Sequence, residues 1–226
     1  MPLRTTIIVP ASDEADRIAG TIRHLPDGHR LIVVDDGSRD ATAAVARDFG
    51  AEVLSCGEPG RPAGKGRAML TGLSHSRRYG SDAVLLADAD LGPSAGNLGG
   101  LIEALENGSS VVIAAFPPAA GGGFGLVKRY ARRRMQARTG YAPREPLSGQ
   151  RALLTPVLDT LPGIAPGYGA EVGMTLDLLL AGIEPTEIPL PLNHRPTGRT
   201  LAGFVHRARQ GRDILKALNG ERLPWP

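Results

Sequence analysis

Asp88-Ala89-Asp90 follows directly on an apolar run, Ala83–Ala87. Alternate residues of an extended segment point the same way, so both carboxylates can face one cation. Hard oxygen ligands suit Mg2+ or Mn2+, ions that bridge phosphates. A solvated turn at a strand end would use the same residues, and the pair alone does not choose between these readings. Val34-Asp35-Asp36-Gly37-Ser38 ends a second apolar run. Asp36 can accept a hydrogen bond from a base or ribose, while Gly37 permits the turn and Ser38 caps the next helix. Equally, Asp35 and Asp36 can be turn and cap residues only. Gly64-Lys65-Gly66 opens a helical pattern after a Pro/Gly-rich loop, and a lysine with free amides at a helix N-terminus suits a diphosphate. It is no Walker loop, because the glycine spacing is wrong and Arg67 stands where Ser or Thr should follow. The first apolar run is not followed by G-x-G-x-x-G, which argues against NAD.

Groups like these need a scaffold, and the first half of the chain alternates strand and helix patterns. Thr5–Val9, Arg30–Val34, Ala51–Ser55, Ala83–Ala87 and Ser110–Ala115 read as strands. Asp13–His24, with Ser12 or Asp13 as N-cap, reads as a helix, as do Ala41–Phe49, Gly66–Arg78 and Leu98–Glu106. Strands separated by helices of this length imply βαβ units and an α/β fold with a mostly parallel sheet flanked by helices. In such sheets ligands bind beyond the carboxyl ends of the strands. Both acidic motifs sit there.

The second half is less regular. A glycine-rich hinge, Gly121–Gly125, precedes a very basic helix, Lys128–Arg138. Thr155-Pro156 opens a further helix, Ala170–Ala181 is another, and the prolines of Pro185–Leu192 mark an edge strand. In the tail from Thr200 to Leu218, Leu201, Phe204, Val205, Ala208, Leu215 and Leu218 share one face with arginines opposite. No repeat or linker interrupts the chain, so one domain is expected over residues 1–226.

Bulk properties narrow the function classes. With 26 Lys and Arg against 23 Asp and Glu, the chain is only mildly basic, so charge cannot choose among nucleic acid, membrane and phosphorylated substrates. Aromatic residues are 4% of the chain, too few for the stacking platforms of a nucleic-acid binder. A single cysteine, Cys56, cannot form an internal disulfide and fits a reducing compartment. The run Ile7-Ile8-Val9 stops at Pro10, far short of a signal-peptide core. Leu176–Ile183 contains Asp177 and is too short to span a bilayer. A cytoplasmic protein, at most peripheral to the inner face of a membrane, is expected.

Taken together, IIVPASDEAD (7–16), VVDDGSRDAT (33–42), GKGRAMLTGL (64–73) and LLADADLGPS (85–94) resemble the GT-A glycosyltransferases, particularly family 2. Each piece is loose, but the set in this order and spacing is specific. The resemblance implies a GT-A, Rossmann-like fold with a nucleotide-sugar-binding half over 1–115. An irregular acceptor-side part would span 116–199, and a basic amphipathic tail 200–226. It implies that Pro10, Ala11, Glu14 and Asp36 line the nucleoside pocket and that Lys65 contacts the base or phosphate region. Asp88, Ala89 and Asp90 would be the DxD motif holding ribose, Mg2+ or Mn2+ and diphosphate. The implied reaction is displacement at an anomeric carbon with a nucleoside diphosphate leaving, its charge stabilised by the cation.

PLSGQRAL (146–153) and GYGAEVGMTLDLLLAGI (167–183) look like the acceptor-side half of these enzymes, with Ser148, Gly149 and Glu171 toward the acceptor. Where the family often has Glu-Asp, with the Asp as general base, this chain has Glu171-Val172. That departure is tolerable for an acceptor that is already anionic or for a retaining enzyme. Glu171 would then bind an acceptor hydroxyl, or simply favour the helix dipole. His194 resembles a histidine that completes the metal site in retaining enzymes making glucosyl- or mannosyl-glycerate derivatives. Arg195 and Arg199 resemble a basic acceptor-phosphate segment of polyprenyl-phosphate sugar transferases. The implied donor is UDP-glucose, with GDP-mannose next, and the acceptor is a phosphoglycerate-like molecule or a polyprenyl phosphate. Membrane contact through the basic tail and a homodimer are compatible with this reading; a nucleic-acid partner is not. Two rivals stand beside it. A sugar-phosphate nucleotidylyltransferase would carry a glycine-rich, Arg-containing loop where Pro10-Ala11-Ser12-Asp13-Glu14 stands. A non-catalytic nucleotide-sugar binding module would bind without turnover.

Overall fold

The computed structural model describes residues 2–116, 125–193 and 201–226, with the side chains of 125, 126 and 201–209 left aside. Strands β1 (Thr5–Ala11), β2 (Arg30–Asp35), β3 (Glu52–Ser55), β4 (Ala83–Leu86), β5 (Val111–Ala115), β6 (Arg151–Leu154) and β7 (Thr186–Pro189) form one sheet in the order β3-β2-β1-β4-β6-β5-β7. Neighbours are parallel except around β6, which runs antiparallel to both β4 and β5. As its prolines suggest, β7 lies at an edge and hydrogen-bonds only to β5.

Alternation along the strands builds two apolar layers. Ile7, Val9, Val33 and Leu85 pack on one face against Ile18 and Ile22 of α1 (Ala15–Ile22), Ala46 of α2 (Thr42–Asp48) and Leu101 of α4 (Gly99–Glu106). Ile8, Ile32, Val84 and Leu86 pack on the other against Met69 and Leu73 of α3 (Lys65–Arg78) and Met174 of α6 (Ala170–Leu180). A third cluster joins Val172, Leu176 and Leu179 of α6 to Ala131 and Met135 of α5 (Gly125–Thr139) and to Ile214 and Leu218 of α7 (Leu201–Leu218). Glycine lets α3 approach the sheet, because a Cβ on Gly72 would collide with the Ile8 and Val34 methyl groups.

Strand order reverses beside β1. From there β2 and β3 extend one way and β4 the other, which makes the gap between the carboxyl ends of β1 and β4 the topological switch point. Three local features differ from expectation. Neither Ser12 nor Asp13 caps α1. Its first amides are instead accepted across the loop, Glu14 N by Thr42 Oγ1 at 2.8 Å and Ala15 N by Asp40 Oδ2 at 3.0 Å. The segment at Thr155-Pro156 is a six-residue 3-10 turn, Thr155–Thr160, rather than an α-helix. Strand β6 is an addition to the expected set, since four residues beginning with a charged Arg151 carry no strand signal of their own.

Candidate functional site

The β4 strand ends at Leu86, and the following loop carries Asp88 into the crevice beside β1. The loop is held from below by Thr21 of α1. Its hydroxyl donates to Ala89 O at 2.7 Å and accepts from Gly92 N at 3.0 Å. Gly92 has φ of 53°, a backbone conformation that disfavours a side chain. Ala89 is thereby buried, while Asp88 and Asp90 stay partly exposed.

Lys65 is the first residue of α3 and reaches across the crevice. Its Nζ lies 2.6 Å from Asp88 Oδ1 and 2.6 Å from Glu171 Oε1. Burial opposes the charge on this ammonium, but the Asp88 and Glu171 carboxylates outweigh it and raise the lysine's pKa. The second Asp88 oxygen accepts from Gln150 Nε2 at 2.6 Å. Three elements distant in sequence therefore converge around one carboxylate: the opening of α3, the first turn of α6 and the segment entering β6.

Loop packing needs glycine at two of these points. A Cβ on Gly66 would strike the carbonyl of Ala165, and one on Gly149 would lie 2.8 Å from both Asp88 oxygens. On the far side of the Ala165–Gly169 segment, Asp213 of α7 accepts from Tyr168 N at 3.3 Å. Tyr168 remains partly exposed, and its phenol is raised chiefly by burial, with Lys65 lowering it.

Beneath the cluster lies Arg151, fully buried on β6. Nη1 donates to Glu171 O at 3.1 Å and to Thr175 Oγ1 at 3.2 Å, and Nη2 donates to Ser148 O at 2.5 Å. Burial lowers this guanidinium to about 10, against the pull of the Glu171 and Asp88 charges. A buried charge is costly and persists where it is well bonded. Here it ties the Ser148 segment to the first turn of α6. Neither Gln150 nor Arg151 stands out in the sequence. Their signal is their place in PLSGQRAL (146–153), a stretch that points to the acceptor side without giving either residue a role.

The remaining expected residues divide clearly. Pro10 and Ala11 end β1 at the switch point, and Ala11 O accepts from Asp36 N at 2.8 Å. Asp36 is buried, and its carboxylate supports the loop before α3, accepting from Ala63 N at 2.6 Å and Gly64 N at 2.8 Å. With Cys56 Sγ also donating to Asp36 Oδ1 at 3.5 Å, these bonds use three of about four lone-pair positions on a carboxylate. Beside it, burial first and the Asp36 charge second push the Cys56 thiol up to about 12. Glu14 pairs with Arg17 at 2.7 Å, and Arg17 also feels Asp90. Ser148 is buried with its hydroxyl turned to Gln150 O at 3.4 Å. Val172 is fully buried in the third apolar cluster, so no side-chain base stands at that position. Among the described residues, no three His, Cys, Asp or Glu side chains gather as a metal-binding group.

His194, Arg195, Arg199 and most of the Gly121–Gly125 hinge lie outside the described residues. The chain leading to His194 is described. Asn193 N donates to Ser94 Oγ at 3.0 Å, and Asn97 Nδ2 donates to Pro191 O at 3.1 Å, which fastens this segment to the turn just beyond Asp90.

An open sheet of this order, with an acidic and lysine-bearing crevice at its switch point, is the GT-A architecture. Glucosyl-3-phosphoglycerate synthase from Mycobacterium tuberculosis, crystallised with Mn2+, UDP and glucosyl-3-phosphoglycerate, superposes with a TM-score of 0.75 at 28% identity. That match covers 98% of this chain and 81% of the other. The chain belongs to Glycosyl transferase family 2, whose sequence profile matches residues 6–160. Glucosyl-3-phosphoglycerate synthase of Mycolicibacterium paratuberculosis is 34% identical over 76% of this chain and 59% of its own length. Polyprenol monophosphomannose synthase of Mycolicibacterium smegmatis is 27% identical over 86% of this chain and 79% of its own. With the curated relatives that it matches first, the chain aligns over about half of their length. None of the described helices is long and apolar enough to cross a membrane.

Proposed function

We propose that the protein is a metal-dependent hexosyltransferase that takes a sugar from a nucleotide-sugar donor, UDP-glucose first and GDP-mannose next. The observation that carries this reading is the convergence of Lys65, Asp88 and Glu171 at the switch point, the ammonium lying 2.6 Å from each carboxylate. A crevice holding both a cation and paired acids suits a diphosphate together with its counter-ion better than it suits a neutral ligand.

The donor set fits Mg2+ or Mn2+. Asp88 and Asp90 offer hard oxygens and no soft ligand, and diphosphate oxygens can complete the coordination. His194 follows a segment fastened beside Asp90 and is the candidate third protein ligand. When bound, the ion supplies positive charge against the departing diphosphate. Lys65 adds a fixed ammonium beside the same oxygens, and Pro10, Ala11, Glu14 and Asp36 face the nucleoside.

On the acceptor side, Val172 is packed in the core and Glu171 is engaged by Lys65. An acceptor that arrives as an anion needs no side-chain base, which favours a phosphorylated acceptor. A polyprenyl phosphate qualifies through an unprotonated phosphate oxygen, whereas a phosphoglycerate-like molecule reacts through a hydroxyl and would pass its proton to the departing diphosphate in a retaining reaction. Gly149, Glu171, Arg195 and Arg199 would meet it, with Ser148 holding the segment in place. A cytoplasmic location fits such soluble donors.

Incubation with UDP-glucose or GDP-mannose, Mn2+ and each acceptor tests the reading directly. Metal-dependent release of the nucleoside diphosphate that disappears in Asp90→Ala is the expected result. Tight donor binding with no turnover across all acceptors would replace the transferase with a binding module. Gly149→Ala is expected to cut turnover about 100-fold, because the new methyl displaces an Asp88 carboxylate already held by Lys65 and Gln150. Its melting temperature should stay close to wild type, and a collapse of both together would place the effect in folding instead.

A further inference from the structure

Helix α5 carries Lys128, Arg129, Arg132, Arg133, Arg134 and Arg138 with no acidic residue between them. Take these six from the 26 Lys and Arg of the chain and the 20 left are outnumbered by 23 Asp and Glu. The whole positive balance of the protein therefore resides on one helix. Elsewhere four arginines are matched with acids, Arg4 with Asp82, Arg30 with Glu52, Arg61 with Glu58 and Arg77 with Asp159, while exposed arginines such as Arg23, Arg47 and Arg78 stand singly and scattered over other elements. On α5 the only ion pair among the described residues is Lys128 with Glu145.

Helical spacing sets which cations face outward. Ala131 and Met135 turn inward onto α6 and are fully buried. Arg129 and Arg133 lie on the opposite side and Arg134 on the flank, all three exposed, with Tyr130 between them at 43% exposure. Alongside, α7 packs on the same core cluster and presents an exposed Leu215, at 46%, beside Arg212, which is paired with Asp213 at 3.8 Å. Unneutralised guanidinium groups interspersed with a tyrosine and a leucine match the two components of an anionic bilayer surface, its charged headgroups and its apolar boundary. A nucleic acid would reward stacking surfaces along a groove, and this face offers one tyrosine on a convex helix.

We infer that the outer face of α5, flanked by α7, docks the protein onto an anionic lipid bilayer. The inference rests on charge distribution and exposure and does not depend on the catalytic reading. Lys128 pairs with Glu145, which ties this helix to the segment leading into β6.

Co-sedimentation of the full chain with vesicles tests it. Vesicles of phosphatidylcholine mixed with phosphatidylglycerol should carry the protein down, whereas pure phosphatidylcholine should leave it in solution. Binding should vanish near 1 M salt, where the screening length is about 3 Å. The triple variant Arg129→Gln, Arg133→Gln, Arg134→Gln should lose on the order of 100-fold in partitioning, from roughly a factor of five per cation. Arg4→Gln, an acid-paired surface arginine, should bind as wild type does. The inference is overturned if wild type ignores anionic vesicles or binds both vesicle types equally. It is equally overturned if the triple variant matches wild type, or if Arg4→Gln loses as much. A duplex RNA that strips the protein from anionic vesicles at equal phosphate concentration would reassign the face to nucleic acid.

Discussion

Lys65→Met is expected to reduce turnover by about 10^2- to 10^3-fold and to lower the melting temperature by roughly 10 °C. The loss of turnover is the usual cost of deleting one donor aimed at developing negative charge. The loss of stability comes from the partners left behind. Glu171, whose side chain is 5% exposed, loses a cation at 2.6 Å, and Asp88 loses the same group. Breaking a buried ion pair costs about 3 kcal/mol at the lower end of the range, which applies because Lys65 keeps about a quarter of its surface in water. For a chain of this length that corresponds to about 10 °C.

A divalent ion should partly replace the missing charge. Added Mn2+ is therefore expected to raise the melting temperature of Lys65→Met by more than it raises that of wild type. Equal shifts in the two proteins would show that the ion and Lys65 do not act on a common carboxylate. The pH dependence has a definite sign. Because Asp88 and Glu171 raise the folded lysine's pKa against its burial, its stabilisation is complete below the ordinary lysine value of about 10.4. It fades only as pH climbs above that toward the raised folded value, so neutral-range melts should be flat in this group.

Arg151→Met is the second large effect, and it falls first on stability. The substitution leaves Ser148 O without its donor in a buried site, while Glu171 O keeps the Thr175 hydroxyl at 2.8 Å. Each unsatisfied buried group costs about 1–3 kcal/mol, partly offset by removing a buried charge. A net loss of about 2 kcal/mol is expected by thermal or denaturant unfolding. Arg151→Lys should recover only part of it, since a compact ammonium cannot reach three acceptors with the guanidinium's fork. Among properly folded molecules of either variant, kcat should fall more than donor KM rises. The displaced elements are the Ser148 segment and the first turn of α6, while the nucleoside end of the crevice is untouched. A variant as stable as wild type would mean that water or a rearranged Gln150 satisfies Ser148 O.

Legibility in the sequence depends on how far apart the interacting residues lie along the chain. The parallel half of the sheet is legible because each strand is a short apolar run, bounded by turn residues and followed by a helical pattern. Thr5–Val9, Arg30–Val34 and Ala83–Ala87 fall within a residue or two of β1, β2 and β4. Strand β6 is not legible, because its pairing with β4 and β5, not its composition, makes it a strand. The α1 N-terminus misleads for a similar reason, since its amides are met by Asp40 and Thr42 across a loop.

Local periodicity and turn chemistry act over a few residues, so the sequence by itself determined the strand–helix alternation, the exits of β2 and β4, and the acidic and basic residues on them. Tertiary structure alone decided that Lys65 meets Asp88 and Glu171, 23 and 106 positions away. It also decided that Asp36 turns to the Ala63 and Gly64 amides, and that Arg151, a residue type usually found in water, lies at the bottom of the site. Such contacts arise when the sheet closes and excludes water, which makes each buried charge seek a partner wherever the fold has brought one.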